Sequence, residues 1–260
     1  QDLMHGLVGL RLGHPVYLFH QIGSTNDQAK HLADAGAPEG LLVVAEGQTA
    51  GRGRAGRRWM TPPGTALALS LILRPRSPAF LAEHAPRLTM LAGLAACEAI
   101  EAACRLRAVL KWPNDVLIAG RKVGGILVET ALKGDELDYA VLGLGINVSW
   151  APSPEAVDFP ATCLLAEAGH EVDRLSLLRA ILTQLEARYP MLATTGDPSL
   201  LADWRARLAL MGEPIVLHTE SGAHAGRAED VDSAGALIVR LESGEMLRVL
   251  AGEVRLRPAR

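Results

Sequence analysis

The sequence is short of every feature that would place it in an obvious class. Its three cysteines, Cys97, Cys104 and Cys163, stand apart, with no CxxC pair and no histidine at metal-ligand spacing. An odd number of scattered thiols with no secretory segment ahead of them argues against a disulfide framework and for a reducing cytoplasm. No apolar run reaches membrane-spanning length, and residues 1–12, with Asp2 and His5 among them, lack the basic start and long apolar stretch of a signal peptide. The first residue is not Met, which suggests a trimmed start. The net charge of −3 carries no footprint of a nucleic-acid or anionic-membrane partner, so any positive site has to be local. Internal repeats and low-complexity tracts are missing, and residues 151–160 form the one proline-rich loop. There is no GxSxG elbow, no local Cys–His pair and no HExxH, which points away from a covalent enzyme intermediate.

What is present is enough apolar residue, 49% of 260, to bury a sizeable core in one large domain or two. Short apolar runs at 16–20, 41–45, 66–73, 108–112, 125–130 and 137–144 read as strands, several continuous enough for a buried sheet. Residues 27–35 and 84–104 read as helices, the first approached through Ser24, Thr25 and Asn26, all good capping residues. Further helices are expected at 174–188 and around 199–208. From Met211 the character changes: β-like runs at 214–218, 226–231, 236–241, 245–249 and 254–256 alternate with Gly, Ser and Asp turns. That spacing predicts a small β-barrel of about five strands, a domain over 211–260 behind an α+β domain over 1–210.

The most unusual segment is GRGRAGRRW at 51–59, where four arginines and three glycines in nine residues require a loop. Glycines let backbone N–H groups turn toward an anion, and guanidinium groups supply forked donors for phosphate or carboxylate oxygens. A solvated basic turn or an RNA-binding arm fits the same residues, and neither a Walker loop nor a dinucleotide fingerprint is present. Trp59 offers a face for a base, or is an ordinary core tryptophan. In KWPNDV, at 111–116, Asn114 and Asp115 follow a strand broken by Pro113; Asp115 suits a metal ligand or a base, but propensity alone favours a simple Asx turn between hairpin strands. In GRKVGGILVE, at 120–129, Lys122 precedes Gly124 and Gly125, so a cation sits beside backbone that a ligand could approach; a solvated hairpin lysine is the alternative. GLGINV, at 143–148, puts small residues in an apolar strand that ends on Asn147, which also fits a bulged strand.

Taken together, Ser24-Thr25-Asn26, GRGRAGRRW, KWPNDV, GRKVGGILVE, GLGINV and the tail GEVRLR at 252–257 resemble the biotin–protein ligase family in order and approximate spacing, over nearly the whole chain. The resemblance implies an α+β catalytic domain with a mixed sheet followed by an SH3-like barrel. It implies ATP-dependent activation of biotin to biotinyl-5'-AMP and transfer to a lysine of a biotin carboxyl carrier protein domain of a carboxylase, with Mg²⁺ assisting and no nucleic acid or membrane involved. By the same resemblance Ser24, Thr25, Asn26 and Gln48 surround the ureido ring and valeryl chain, and Gly51, Arg52, Gly53 and Arg54 form the biotin-binding loop. Lys122 contacts the biotin carboxylate and the α-phosphate, while backbone at Gly125 and Leu127, and Gly143 with Ile146, line the slot. Arg54, Trp59, Asn114, Lys122 and Asn147 serve ATP, with Trp59 stacking on adenine, and Arg54, Lys122 and Asp115 are the catalytic set. Arg57 and Arg58 match the family pattern less strictly and stay outside the expected site. Only about twenty residues precede Ser24, so a ligase without an N-terminal DNA-binding domain is expected, as a cytoplasmic monomer or homodimer.

Overall fold

The computed structural model describes residues 7–75, 84–134, 136–194, 199–219, 222–250 and 252–256. The chain runs β1 (Val16–Ile22), α1 (Thr25–Asp34), β2 (Leu42–Gln48), β3 (Ala66–Leu73), α2 (Ala85–Cys104), β4 (Ala108–Lys111), β5 (Asp115–Ile118), β6 (Arg121–Lys133) and β7 (Glu136–Asn147). It continues through α3 (Leu164–Ala168), α4 (Arg174–Thr194) and α5 (Leu200–Arg207) into β8 (Pro214–Thr219), β9 (Gly222–Val231), β10 (Leu237–Leu241), β11 (Met246–Val249) and β12 (Glu253–Leu256). The first seven strands make one mixed sheet in the order β1-β2-β3-β7-β6-β5-β4, with β1 and β2 parallel and every other pair antiparallel.

Strand alternation decides what each face of this sheet meets. In β3 every residue is buried; Leu67, Leu69, Leu71 and Leu73 point into the large core with α2, while Ser70 and Ile72 point the other way, toward α1. β7 repeats the pattern: Leu142, Leu144 and Ile146 enter the large core, leaving Gly143, Gly145 and Asn147 on the opposite face. The helix α2 brings Leu88, Leu91, Leu94 and Ile100 to that core, each fully buried and worth about 1.5–3 kcal/mol by burial alone. On the other face α1 covers only part of the sheet, capped by the Ser24 hydroxyl, which accepts from the Asp27 N–H at 3.4 Å. The uncovered part, above β6 and β7, is where a site can form.

Two local expectations change. β4 and β5 are the hairpin strands that the Asx-turn reading calls for, joined across residues 112–114 with Lys111 and Asp115 as register partners, but that reading sets no bounds for β5, and β6 begins at Arg121, so the strand expected at 125–130 is longer. The apolar run 116–118 is only three residues long, and the polar residues around it read as turn. Nor is β7 bulged at Gly143; its register stays regular there, and the irregularity between β6 and β7 falls at Ala131/Leu132.

Strands β8 to β12 form an antiparallel sheet in the order β11-β10-β9-β8-β12. Its apolar residues, among them Ile215, Leu217, Val231, Val239 and Val254, join the same core as the large sheet. The Trp112 indole N–H donates to Gly235 O at 3.0 Å, and Arg205 pairs with Asp230 at 2.6 Å. No helix among the described residues is long and apolar enough to cross a membrane.

Candidate active site

Above β6 and β7 lies a cleft of about 1350 Å³, walled by the N-terminus of α1, the 51–59 loop, residues 152–161 and, from the C-terminal sheet, residues such as His218, Arg248 and Glu253. Its floor is made of glycine for a steric reason. A Cβ on Gly143 would lie 2.0 Å from Asn26 Oδ1, and one on Gly145 would lie 2.5 Å from the Trp59 indole. Side chains from α1 and from the loop occupy the space that larger floor residues would fill.

On the Gly143 side, polar groups of four elements interlock. The Thr25 N–H donates to Gln48 Oε1 at 2.8 Å, and Gln48 Nε2 donates to Thr61 Oγ1 at 3.1 Å. Asn26 Nδ2 donates to Leu127 O at 3.2 Å and to Glu129 Oε2 at 2.9 Å, while the Ser70 hydroxyl donates to Asn26 Oδ1 at 2.6 Å. Both amide hydrogens of Asn26 are thus used within the protein, which makes this 5%-exposed residue a strut beneath the slot. Ser24, Gly125, Leu127 and Gly143 also line the cleft. Ile146 does not: its side chain is fully buried on the far face of the sheet. Gly51 stays behind the wall, where a Cβ would meet Trp59 O at 2.4 Å, and it closes the loop by accepting from the Trp59 N–H at 2.9 Å.

The 51–59 loop turns through Ala55, a non-glycine residue at φ 53°, in the left-handed region. It distributes its arginines unequally. Arg52 reaches Glu129 at 2.5 Å and Asp27 at 2.7 Å, Arg57 reaches Glu253 on β12 at 2.7 Å, and Arg58 donates to Thr49 O at 2.7 Å. Arg54 has no ion-pair partner among the described residues; burial pulls its guanidinium below the ordinary arginine value, with Asp115 opposing that shift. A half-buried guanidinium without a carboxylate favours an incoming anion.

Beside it, Lys122 Nζ lies 2.5 Å from Asp115 Oδ1 and 5.6 Å from the centre of the Trp59 ring. Lys122 is held by backbone bonds to residues 160–162, its N–H donating to Pro160 O at 2.8 Å. Asp115 is 7% exposed and is shared with Lys111, whose Nζ lies 3.7 Å from Oδ2 and 4.6 Å from the Phe159 ring. Burial lowers the Lys111 ammonium below its ordinary value, partly offset by Asp115. Asn114 ties the hairpin to β6 by donating to Ile126 O at 2.7 Å, and Asn147 donates to Thr162 O at 3.0 Å. Both line the cleft, as does Trp59, whose indole Nε1 is buried without a hydrogen-bond partner among the described residues.

The motif reading overlooked Ser70, Lys111 and Glu129, which organise this cleft. Ser70 had a visible signal, a lone hydroxyl in the apolar run ALALSLIL; Lys111 and Glu129 stood inside quoted motifs, but their partners are distant in sequence or across a hairpin.

Residues 18–147 match the biotin/lipoate A/B protein ligase family, and residues 210–257 match the biotin protein ligase C terminal domain. The chain is 34% identical over 257 residues to the bifunctional ligase/repressor BirA of Bacillus subtilis, covering 98% of this chain and 78% of that protein. The chain belongs to the biotin protein ligase family. It is 37% identical to the biotin–[acetyl-CoA-carboxylase] ligase of Paracoccus denitrificans, over 89% of this chain and 96% of that one. Among solved structures, the biotin protein ligase of Aquifex aeolicus in complex with biotin and ATP superimposes with a TM-score of 0.77 at 29% identity, covering 95% of this chain and all of that one. The mixed sheet with its C-terminal β unit is therefore the architecture of a biotin protein ligase, and this chain is a ligase enzyme.

Proposed function

We propose that this biotin protein ligase activates biotin with ATP to biotinyl-5'-AMP and passes the biotinyl group to one lysine of a biotin carboxyl carrier protein domain of a carboxylase. One observation carries the reading: a slot lined by amides and hydroxyls over Gly143 opens, in the same cleft, onto Arg54, Lys111 and Lys122 gathered around Asp115. Activation joins two anions, so fixed cations and positioning supply most of the acceleration. The biotin carboxylate attacks the α-phosphorus; the new O–P bond forms as the bond to pyrophosphate breaks. Arg54 and Lys122 stabilise the charge on the phosphoryl oxygens, Trp59 takes the adenine, and the 51–59 loop keeps water from the mixed anhydride.

In the second step the neutral ε-amine of the carrier lysine attacks the acyl carbon, the C–N bond forms, and AMP leaves with the bridging oxygen. A lysine near its reference pKa of about 10.4 arrives protonated; Asp115 accepts the first proton once Lys122 has turned to the phosphate, and the second, released from nitrogen as the amide forms, leaves to solvent. Magnesium has no protein-built cage here: among the described residues no three His, Cys, Asp or Glu side chains converge, and Asp115 is engaged by two lysines. The donor set does not fit a resident ion, and an ion held by nucleotide phosphates and water needs none. The reaction is assigned to the cytoplasm.

The test is exchange of labelled pyrophosphate into ATP. We expect exchange only when biotin is added; exchange with lipoate or octanoate and none with biotin would refute the assignment.

A further inference from the structure

The Glu129 carboxylate is the point at which three elements meet. Its Oε2 accepts from Asn26 Nδ2 at 2.9 Å and from Arg52 Nη2 at 2.5 Å, and its Oε1 accepts from Lys30 Nζ at 3.2 Å. Asn26 and Lys30 belong to α1, Arg52 to the 51–59 loop, and Glu129 to β6, where it stands on the cleft face two residues beyond Leu127. Its side chain is 19% exposed, so solvent screens these contacts only in part. Burial opposes its ionisation, but the donors from Arg52, Asn26 and Lys30 outweigh that and hold the carboxyl below its ordinary value. The second partner of Arg52, Asp27, is 58% exposed at its side chain and is the weaker anchor.

We propose that Glu129 is a positioning residue for the ligase reaction: it latches the glycine–arginine loop to the slot floor through Arg52 and, with the same oxygen, fixes the Asn26 amide under the slot. The geometry gives one carboxylate control of two parts of the site. Arg52 is the only one of the loop's four arginines that joins the loop to the slot side of the cleft, since Arg57 goes to β12, Arg58 to Thr49 O, and Arg54 has no carboxylate among the described residues. Removing the charge at Glu129 therefore frees the loop at its N-terminal end and loosens Asn26, with Arg54 and Lys122 retained. Lys30 Nζ also contacts Glu129, its one hydrogen-bond and ion-pair partner among the described residues, so it separates the latch from the general stability of the charge cluster.

The inference rests on the biotin-ligase reading for its functional arm and not for its structural one. The structural arm is limited trypsin digestion of the full chain without added ligand, scoring cleavage after the arginines in 51–59. In Glu129→Gln we expect cleavage in this segment to be at least fivefold faster than in the unaltered protein, and in Lys30→Met close to the unaltered rate. A double variant, Glu129→Gln with Arg52→Gln, should be cleaved no faster than Arg52→Gln alone, because both changes open one latch. The functional arm is biotin-dependent pyrophosphate exchange, where Glu129→Gln should raise the KM for biotin about tenfold, the range expected for a lost charge-assisted hydrogen bond.

Equal cleavage of Glu129→Gln and the unaltered protein would overturn the proposal, as would multiplicative effects of Glu129→Gln and Arg52→Gln. If cleavage in Glu129→Gln spreads over the whole chain, the comparison passes to Arg52→Gln, which opens the latch and keeps the bond between Asn26 and Glu129; slow cleavage of its loop would equally refute the latch. Absence of biotin-dependent exchange in the unaltered protein would overturn the functional reading alone and leave the latch to be judged on proteolysis.

Discussion

Replacing Gly143 by Ala puts one methyl where the slot has no room. Its Cβ would lie 2.0 Å from Asn26 Oδ1 and 2.8 Å from Asn26 Cγ. Asn26 is not a flexible end that can swing away, because Ser70, Leu127 O and Glu129 hold its amide on three sides. Two of those bonds are between neutral groups, worth about 1 kcal/mol each, and the one to Glu129 is charge-assisted, worth about 1.5–3 kcal/mol. Displacing the amide therefore destabilises the fold by about 3.5–5 kcal/mol if all three break, and overpacking with partial rearrangement sets a floor of about 1–3 kcal/mol. For a chain of this length each kcal/mol moves Tm by about 2–4 °C, so a loss of about 3 kcal/mol corresponds to roughly 6–12 °C. The assay is thermal unfolding together with the KM for biotin in pyrophosphate exchange. Both should worsen, and Gly143→Ala with unaltered Tm and KM would refute the steric account of the slot floor.

Ser70→Ala leaves Asn26 Oδ1 without the donor that the structure gives it and should lower stability by about 1–2 kcal/mol with a higher KM for biotin, measured by denaturant unfolding and exchange. Arg54→Met should reduce adenylate formation by about a hundredfold, in line with removal of a fixed donor to developing charge; a loss below threefold in single-turnover kinetics would contradict the role given to it. Arg57→Ala breaks an ion pair whose arginine is half exposed, so Tm should move by only a degree or two. Glu129 is held below its ordinary value, so its contribution to stability is present above the unfolded carboxyl value near 4.5 and is lost as pH falls through the folded one. Unfolding midpoints from pH 6 to pH 3 should thus converge for the unaltered protein and Glu129→Gln at the acid end, and parallel curves would contradict this.

Much of the fold was legible because alternation and continuous apolar runs report burial directly: residues 66–73 were read as a buried strand, and β3 has those bounds. β5 was illegible because Pro113, Asn114 and Asp115 read as a turn and Asp115 is itself the first strand residue. Ser24, Thr25 and Asn26 were legible as capping residues, and only the family resemblance placed them, with Gln48, around biotin; the structure adds that both amide hydrogens of Asn26 are bonded within the protein. Ile146 was placed at the slot, with Gly143, by the family resemblance alone; period-two alternation sends its side chain to the core and brings Gly145 to the cleft. Glu129 and Ser70 were missed because their partners lie 103 and 44 residues away, a distance that local pattern does not span. The participation of Glu253 depends on how the C-terminal sheet docks, which turn spacing does not encode.

Transfer of a biotinyl group to a carrier lysine is proposed to run through the cleft that holds Arg54, Lys122 and Asp115. Intact-mass measurement of an isolated carrier domain, incubated with the enzyme, ATP and an equimolar mixture of biotin, lipoate and octanoate, tests it most directly. A single added biotinyl mass that maps to one lysine and disappears with Lys122→Ala is expected. A lipoyl or octanoyl mass instead, or full biotinylation by Lys122→Ala, would contradict it.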